Sequence, residues 1–391
     1  MKITRRFFAT LLIAVAPLLL SVDHTFGDES KPSQYLAFVG TYTSKTDSKG
    51  IYSFHFDAAT GRLTPTTLAA TTPDPSFLTV ASNEKNLYAV NELSEFDGKK
   101  SGAVTSYSVD PKSGKLTRLN QVPSGGADPC YVSFDQSGKY LLVANYTGGS
   151  VSTFPVAPDG RVGSASAFVQ HRGSGPNKER QEGPHAHYIA SSVDNRFVFV
   201  VDLGLDEVVV YRFDPAKGSL TPNDPPFVKV APGAGPRHLA FHPNGKFAYV
   251  LNEVNSTVTV FANDSRNGSF STLQTLPTIP KGFTAHNDTA EIVVHPSGKF
   301  LYVSNRGHDS IAEFSIDPAK GTLTFAGDFS TQGKTPRNFA LDPTGKFLLA
   351  ANQESNNIVV FRIDHSTGAL TGTGQDAQVP APVDIVFVSA R

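Results

Sequence analysis

From Tyr35 onward the chain alternates apolar and polar positions in short runs, broken by Gly, Pro, Asn or Asp. One stretch shows the unit: "RHLAFHP" (Arg237 to Pro243), "KFAYVLN" (Lys246 to Asn252), "STVTVFAND" (Ser256 to Asp264) and "GSFSTLQTL" (Gly268 to Leu276). Period-two alternation, β-branched and aromatic residues and turn-forming punctuation predict four strands. Helical periodicity is nowhere sustained.

The unit repeats. Aligned on the residue that closes the tight turn, the anchors are Asn86, Lys139, Arg196, Lys246, Lys299 and Lys346, separated by 53, 57, 50, 53 and 47 residues. A repeat of this length made of four strands points to a propeller blade. The second strand recurs seven times: "YLAFVG" at Tyr35, then at Leu87, Tyr140, Phe197, Phe247, Phe300 and Phe347. The first strand also recurs seven times, at Pro75, Pro129, Ala186, Pro236, Ala290, Pro336 and Pro382, but out of phase. The chain therefore begins with a second strand and ends with a first one. Such a split closes a ring and leaves no exposed end sheet. An open β-solenoid gives no reason for it. The prediction is an all-β, seven-bladed β-propeller over residues 34–391, with four-stranded blades and the C-terminal strand joining the N-terminal blade.

The first residues break the pattern. "MKITRRFFATLLIAVAPLLLS" has a basic start and then an apolar run from Phe7 to Leu20, short for a membrane span and suited to a signal. The adjacent Arg5 and Arg6 resemble a twin-arginine signal. Residues 1–28 are therefore expected to export the chain to a bacterial periplasm, with no stable membrane insertion after cleavage. The alternatives are an uncleaved anchor, or a cytoplasmic protein if the signal does not function.

Composition removes several classes. With 34 basic and 35 acidic residues, there is no electrostatic footprint for nucleic acid. One cysteine, Cys130, rules out an internal disulfide and a Cys-rich metal site. No G-x-S-x-G, no H-E-x-x-H and no calcium-loop spacing occurs. "GDFSTQGKT" (Gly327 to Thr335) has the wrong glycine spacing for a phosphate loop, and no helix follows. No cofactor or metal is expected.

In an up-and-down blade, the chain leading into strand one and the chain leaving strand two lie at the same end, and strand one lines the channel. All seven blades thus send these positions to one mouth, where a ligand site is expected. Nine residues before the anchor stand Cys130, His187, Arg237, Ala290 and Arg337; seven after it stand Tyr146, Leu203, Glu253, Arg306 and Gln353. Arginines and a glutamate crowded into a channel are costly unless paired or used on a ligand. The candidates are His187, Arg237, Glu253 and Arg306, with His185, Tyr146, Arg337 and His286 as further substrate contacts. The competing reading is a closed salt-bridge ring, Arg237 with Glu253. His242 and His295 fall at turn positions and read as structural. Glu92 corresponds roughly to Glu253. His286, Asn287, Asp288 and His308 belong either to the mouth or to solvated loop, the latter being the preferred reading. The long segment His171 to His187 forms a lid or an insertion.

"VGTYTS", "LYAVNE", "ANYTGGSVSTFPV", "GPHAHYI", "GPRHLAFHPNGKFAYVLNE" and "SNRGHDSIAEFSID" together resemble the seven-bladed propeller lactonases, which include 6-phosphogluconolactonases and carboxy-muconate cyclases. The resemblance covers about Tyr35 to Val388. It implies a site at His187, with His185 beside it, Arg237, Glu253 and Arg306, and a small-molecule lactone as partner. It also implies hydrolysis of a sugar-acid lactone of the 6-phosphogluconolactone type by water attack. Glu253 or His187 would serve as base, and Arg237 and Arg306 would hold the oxyanion or clamp an acidic group. A lactonizing cyclase and a non-catalytic exported binding propeller are the alternatives. The family's sugar-phosphate lactonases work in the cytosol, so the export-type N-terminus leaves phosphorylation of the substrate open.

Overall fold

The computed structural model describes residues 33–390. They form 28 strands in seven four-stranded sheets, with no helix among the described residues. The export signal expected over residues 1–28 lies outside the described residues.

Blade two comprises Leu78–Val80, Asn86–Asn91, Ala103–Val109 and Leu116–Pro123. Blades three to seven follow with first strands Pro129–Phe134, Ala186–Ser191, Pro236–Phe241, Asp288–Val294 and Pro336–Leu341. Blade one is made from both ends of the chain: the C-terminal strand Pro382–Ser389 pairs with Gln34–Thr41, followed by Gly50–Asp57 and Arg62–Thr71. The phase shift in the sequence is this closure. First strands of successive blades touch one another around the full circle.

The tight turn that recurs in blades two to seven has a local cause. The Asp135 carboxylate accepts the backbone N–H of Lys139 at 2.9 Å and of Tyr140 at 2.8 Å, and Asp342 does the same for Lys346 and Phe347. Gly138 and Gly345 sit at φ of 69° and 74°, where a side chain would be strained. His242 and His295 replace the aspartate. Their Nδ1 atoms cap the same turns, and their Nε2 atoms lie 2.9 Å from Gly298 O and Gly345 O of the next blade. Both histidines are structural, tying one blade to the next.

Apolar clusters fill the space between blades. Tyr35, Val39 and Phe56 of blade one pack with Phe347, Leu349 and Val360 of blade seven. Phe199, Val201 and Val210 of blade four pack with Leu239, Val250 and Phe261 of blade five. No blade buries its faces without its neighbours, which ties the geometry of the channel mouth to the whole ring.

Candidate active site

Backbone bulges build the mouth. In five blades the ladder between first and second strand skips one residue. In blades three, four, five and seven the skipped residues are Cys130, His187, Arg237 and Arg337, each between two paired neighbours. A bulge leaves its extra residue unpaired and re-aims its side chain. These are four of the residues found nine positions before the anchor. In blade six the shift spans Ala290 and Glu291, and in blade one it skips Val383.

A cavity of about 240 Å³ opens at this end, lined by Glu92, Cys130, Tyr146, Arg180, His187, Glu253, Asp288, Arg306 and Arg337. Arg237, His238 and Glu291 line a small adjoining chamber that shares Glu92, Cys130, His187 and Arg337 with it.

Glu253 is the electrostatic centre. Its Oε2 lies 2.9 Å from Arg237 Nε and 3.1 Å from Arg306 Nη2, and its Oε1 meets Arg180 Nη2. Burial works against its charge. Arg306, Arg237 and Arg180 outweigh burial and hold the carboxyl at about 2. The contact to Arg237 Nε is close but not aligned as a hydrogen bond, and Arg306 Nε has no hydrogen-bond partner among the described residues. Both groups are buried donors with unused capacity. Burial, with Arg237 and Arg337 nearby, lowers the Arg306 guanidinium to about 10 despite Glu253, so it stays a cation at neutral pH.

Arg237 is fixed from behind. Its Nη1 donates to Ala290 O and lies 3.3 Å from His238 Nε2. His238 Nδ1 in turn meets Glu291 Oε1 at 3.1 Å, and Glu291 Oε2 accepts from Asn338 Nδ2 at 2.9 Å.

His187 is 4% exposed. Burial, with Arg237, His238 and Arg337 adding repulsion, holds its pKa well below the usual histidine value. The imidazole is therefore neutral at pH 7. Its Nδ1 lies 3.7 Å from Cys130 Sγ, and its Nε2 makes no hydrogen bond to any described residue. Burial raises the Cys130 thiol well above its ordinary value, so it is a poor source of thiolate.

A family model described as a lactonase with a seven-bladed β-propeller matches residues 36–387. The chain belongs to the seven-bladed β-propeller lactonase family. This lactonase is 40% identical over 310 residues to the 6-phosphogluconolactonase of Bacillus subtilis, spanning 79% of this chain and 86% of that one. It is 38% identical over 308 residues to the 6-phosphogluconolactonase of Formosa agariphila, 78% of this chain and 86% of that one. The solved structure of the periplasmic gluconolactonase of Pseudomonas aeruginosa superposes with a TM-score of 0.86 at 39% identity, covering 92% of this chain and all of that one. The relatives' names favour hydrolysis over the ring closure and the binding role left open by the sequence.

The structure brings His187, Arg237, Glu253, Arg306, Tyr146 and Arg337 together. His185 stands behind this group. Its ring stacks on Tyr146 with centroids 4.5 Å apart, and its Nδ1 lies 3.1 Å from Tyr146 O. The structure does not bring His286 into the cavity: its side chain is 81% exposed and turned to Asp288 Oδ2 at 3.1 Å. Asp288, for which solvated loop was the preferred reading, does line the cavity and faces Arg180 Nη1 at 3.6 Å.

Arg180, Glu92 and Tyr42 were missed or left undecided by the sequence. Arg180 comes from the long loop, which is not free. Gln181 is fully buried and donates to Leu203 O at 2.9 Å and Asp206 Oδ1 at 2.7 Å. That anchor places the neighbouring Arg180 over Glu253. The Arg237–Glu253 pair of the competing reading exists, but three guanidinium groups share that one carboxylate. Among the described residues, no group of three or more His, Cys, Asp or Glu is placed to hold a metal.

Proposed function

We propose that this lactonase opens a sugar-acid lactone of the 6-phosphogluconolactone type by direct water attack, with His187 as general base and Arg237 and Arg306 stabilising the oxyanion. The observation that carries the reading is the meeting, in the cavity and its adjoining chamber, of a buried neutral histidine with guanidinium groups whose donors are not all used.

The chemistry follows from these states. A base must be unprotonated and within reach of the water. His187 satisfies the first condition, with Nε2 available. Glu253 is unprotonated but, held at about 2 by three arginines, is too weak a base; it serves to hold those arginines in place. Water oxygen bonds to the lactone carbonyl carbon as its proton passes to His187. Charge develops on the carbonyl oxygen, where preorganised cations are most effective. Collapse of the tetrahedral intermediate breaks the ring C–O bond. The imidazolium then returns the proton to the leaving alkoxide, giving the open hydroxy acid.

The names of the relatives support the ester class, and a volume of about 240 Å³ suits one monosaccharide-sized ring. Export to the periplasm is part of the proposal; the Pseudomonas neighbour is described as periplasmic, and no helix of the described residues is long and apolar enough to cross a membrane. Rapid-quench intact-mass analysis during turnover tests the mechanism. The protein is expected to keep its free mass throughout, and a substrate-sized covalent adduct would refute direct water attack.

A further inference from the structure

Four guanidinium groups face the mouth and its adjoining chamber, and three of them share Glu253. Arg337 is the exception. It makes no hydrogen bond and no ion pair within 4 Å to any described residue. Its guanidinium instead lies over the ring of Tyr42, 5.1 Å from the centroid. Stacking of this kind holds the planar group while leaving its N–H edge for in-plane partners.

Tyr42 is itself fixed, since its hydroxyl donates to Glu92 Oε2 at 2.9 Å. Glu92 thus hydrogen-bonds the tyrosine and makes no ion pair within 4 Å with Arg337, though its charge favours that cation. Arg337 lines both the mouth and the adjoining chamber, as His187 does, so an acidic group on a ring bound beside His187 is within one small ligand's length of it. In number the four arginines are matched by Glu253, Asp288, Glu92 and Glu291, but none of these carboxylates lies within 4 Å of Arg337. An unpaired cation in an enclosed site is costly and is met by an anion when ligand arrives.

We propose that Arg337, held on Tyr42, is the anion-binding subsite of this lactonase and makes it selective for lactones that carry a second acidic group, a carboxylate or a phosphate. The inference rests on the lactonase reading above and adds the residue that sets substrate charge.

The test compares kcat/KM for 6-phosphogluconolactone, a carboxy-mucolactone and neutral gluconolactone in the wild type, Arg337→Gln, Arg337→Lys and Tyr42→Leu. The wild type is expected to prefer an anionic ring, and whichever acidic ring it prefers identifies phosphate or carboxylate as the partner. In Arg337→Gln the ratio of anionic to neutral kcat/KM falls about 100-fold, the loss expected for a charge-assisted bidentate contact. Arg337→Lys keeps charge without the fork and recovers about tenfold of it. Tyr42→Leu lowers the ratio in the same direction. Because the readout is a ratio within one protein sample, partial misfolding cancels.

A wild type that prefers the neutral ring overturns the proposal. So does an equal fall on all three rings, or an unaltered ratio in Arg337→Gln. If the wild type opens no ring, the lactonase reading fails, and calorimetric titration with 6-phosphogluconate and gluconate decides the subsite separately. Binding of the phosphorylated acid that is lost in Arg337→Gln supports it; the same binding in both proteins overturns it.

Discussion

Replacing Glu253 by glutamine removes the carboxylate on which Arg180, Arg237 and Arg306 converge. The cost can be worked from the ionisation of the group. Its folded-state pKa of about 2 against an ordinary 4.5 corresponds to roughly 3 kcal/mol in favour of the charged form, at about 1.4 kcal/mol per unit. Breaking buried ion pairs costs about 3–5 kcal/mol in general, which agrees. The depressed value means the stabilisation is present above the unfolded pKa near 4.5 and lost as pH falls through 2. Glu253→Gln is therefore expected to melt about 4 °C lower at pH 7, the shift scaled to a chain of this size. By pH 3 the gap shrinks to less than half. Thermal melts of both proteins at the two pH values provide the assay. Equal stability at pH 7 refutes the charge-centre assignment, and a gap of the same size at both pH values refutes its electrostatic origin.

Other consequences follow from the same geometry. His187→Asn is expected to lower kcat about 10²-fold or more, and the acid limb of the wild-type pH–rate profile should lie below pH 6.5, since burial lowers this histidine first and its cationic neighbours add to that; an acid limb above 6.5 contradicts the role. Glu313 is 2% exposed, its Oε1 has no hydrogen-bond partner among the described residues, and burial, helped by Asp364, pushes its carboxyl up to about 7. A raised carboxyl stabilises the fold below its unfolded pKa and loses that contribution as pH rises through the folded value. Glu313→Gln should thus raise the melting temperature by roughly 3 °C at pH 8 and leave it unmoved at pH 4; equal shifts at both would exclude titration as the cause. Deleting residues 382–391 removes the first strand of blade one, which pairs with Gln34–Thr41, and is expected to yield protein degraded by a protease concentration that leaves the full chain intact.

The architecture was legible because one turn recurs. Asp135, His242, His295 and Asp342 cap the same loop in four blades, so each anchor marks a fixed point on a strand of constant length. Counting nine back from it lands on the bulge residue in blades three, four, five and seven. The bulge itself leaves no mark in composition. The count found its residues without showing why they face the mouth.

The same count misses Glu92 by one position and does not reach Tyr42. In blade two Glu84, at φ 57°, takes the place of Gly138, so the true counterpart of Lys139 is Lys85 rather than Asn86; blade one shows no such turn before its second strand among the described residues, and so offers no anchor to count from. Arg180 lies in an insertion with no register at all. The signal for it was indirect: a long loop leading into a first strand must fall at the mouth end. His286 and Asp288 show the opposite limit. Two residues apart on one segment, one is exposed and the other lines the cavity. Only the seat of Asp288 at the start of the first strand of blade six, paired with Arg306, separates them.

The proposed reaction is the opening of a lactone ring at the mouth of this propeller with His187 as base. Its most direct test is the rate of acid release at constant pH from 6-phosphogluconolactone and gluconolactone, measured for the wild type and His187→Asn beside protein-free controls, since these rings also open slowly in water. Wild-type turnover is expected to lie far above the control on at least one ring and to fall about 10²-fold or more in a folded His187→Asn. Wild-type rates no faster than the control would contradict the lactonase reading. Full turnover in His187→Asn would contradict the assignment of the base.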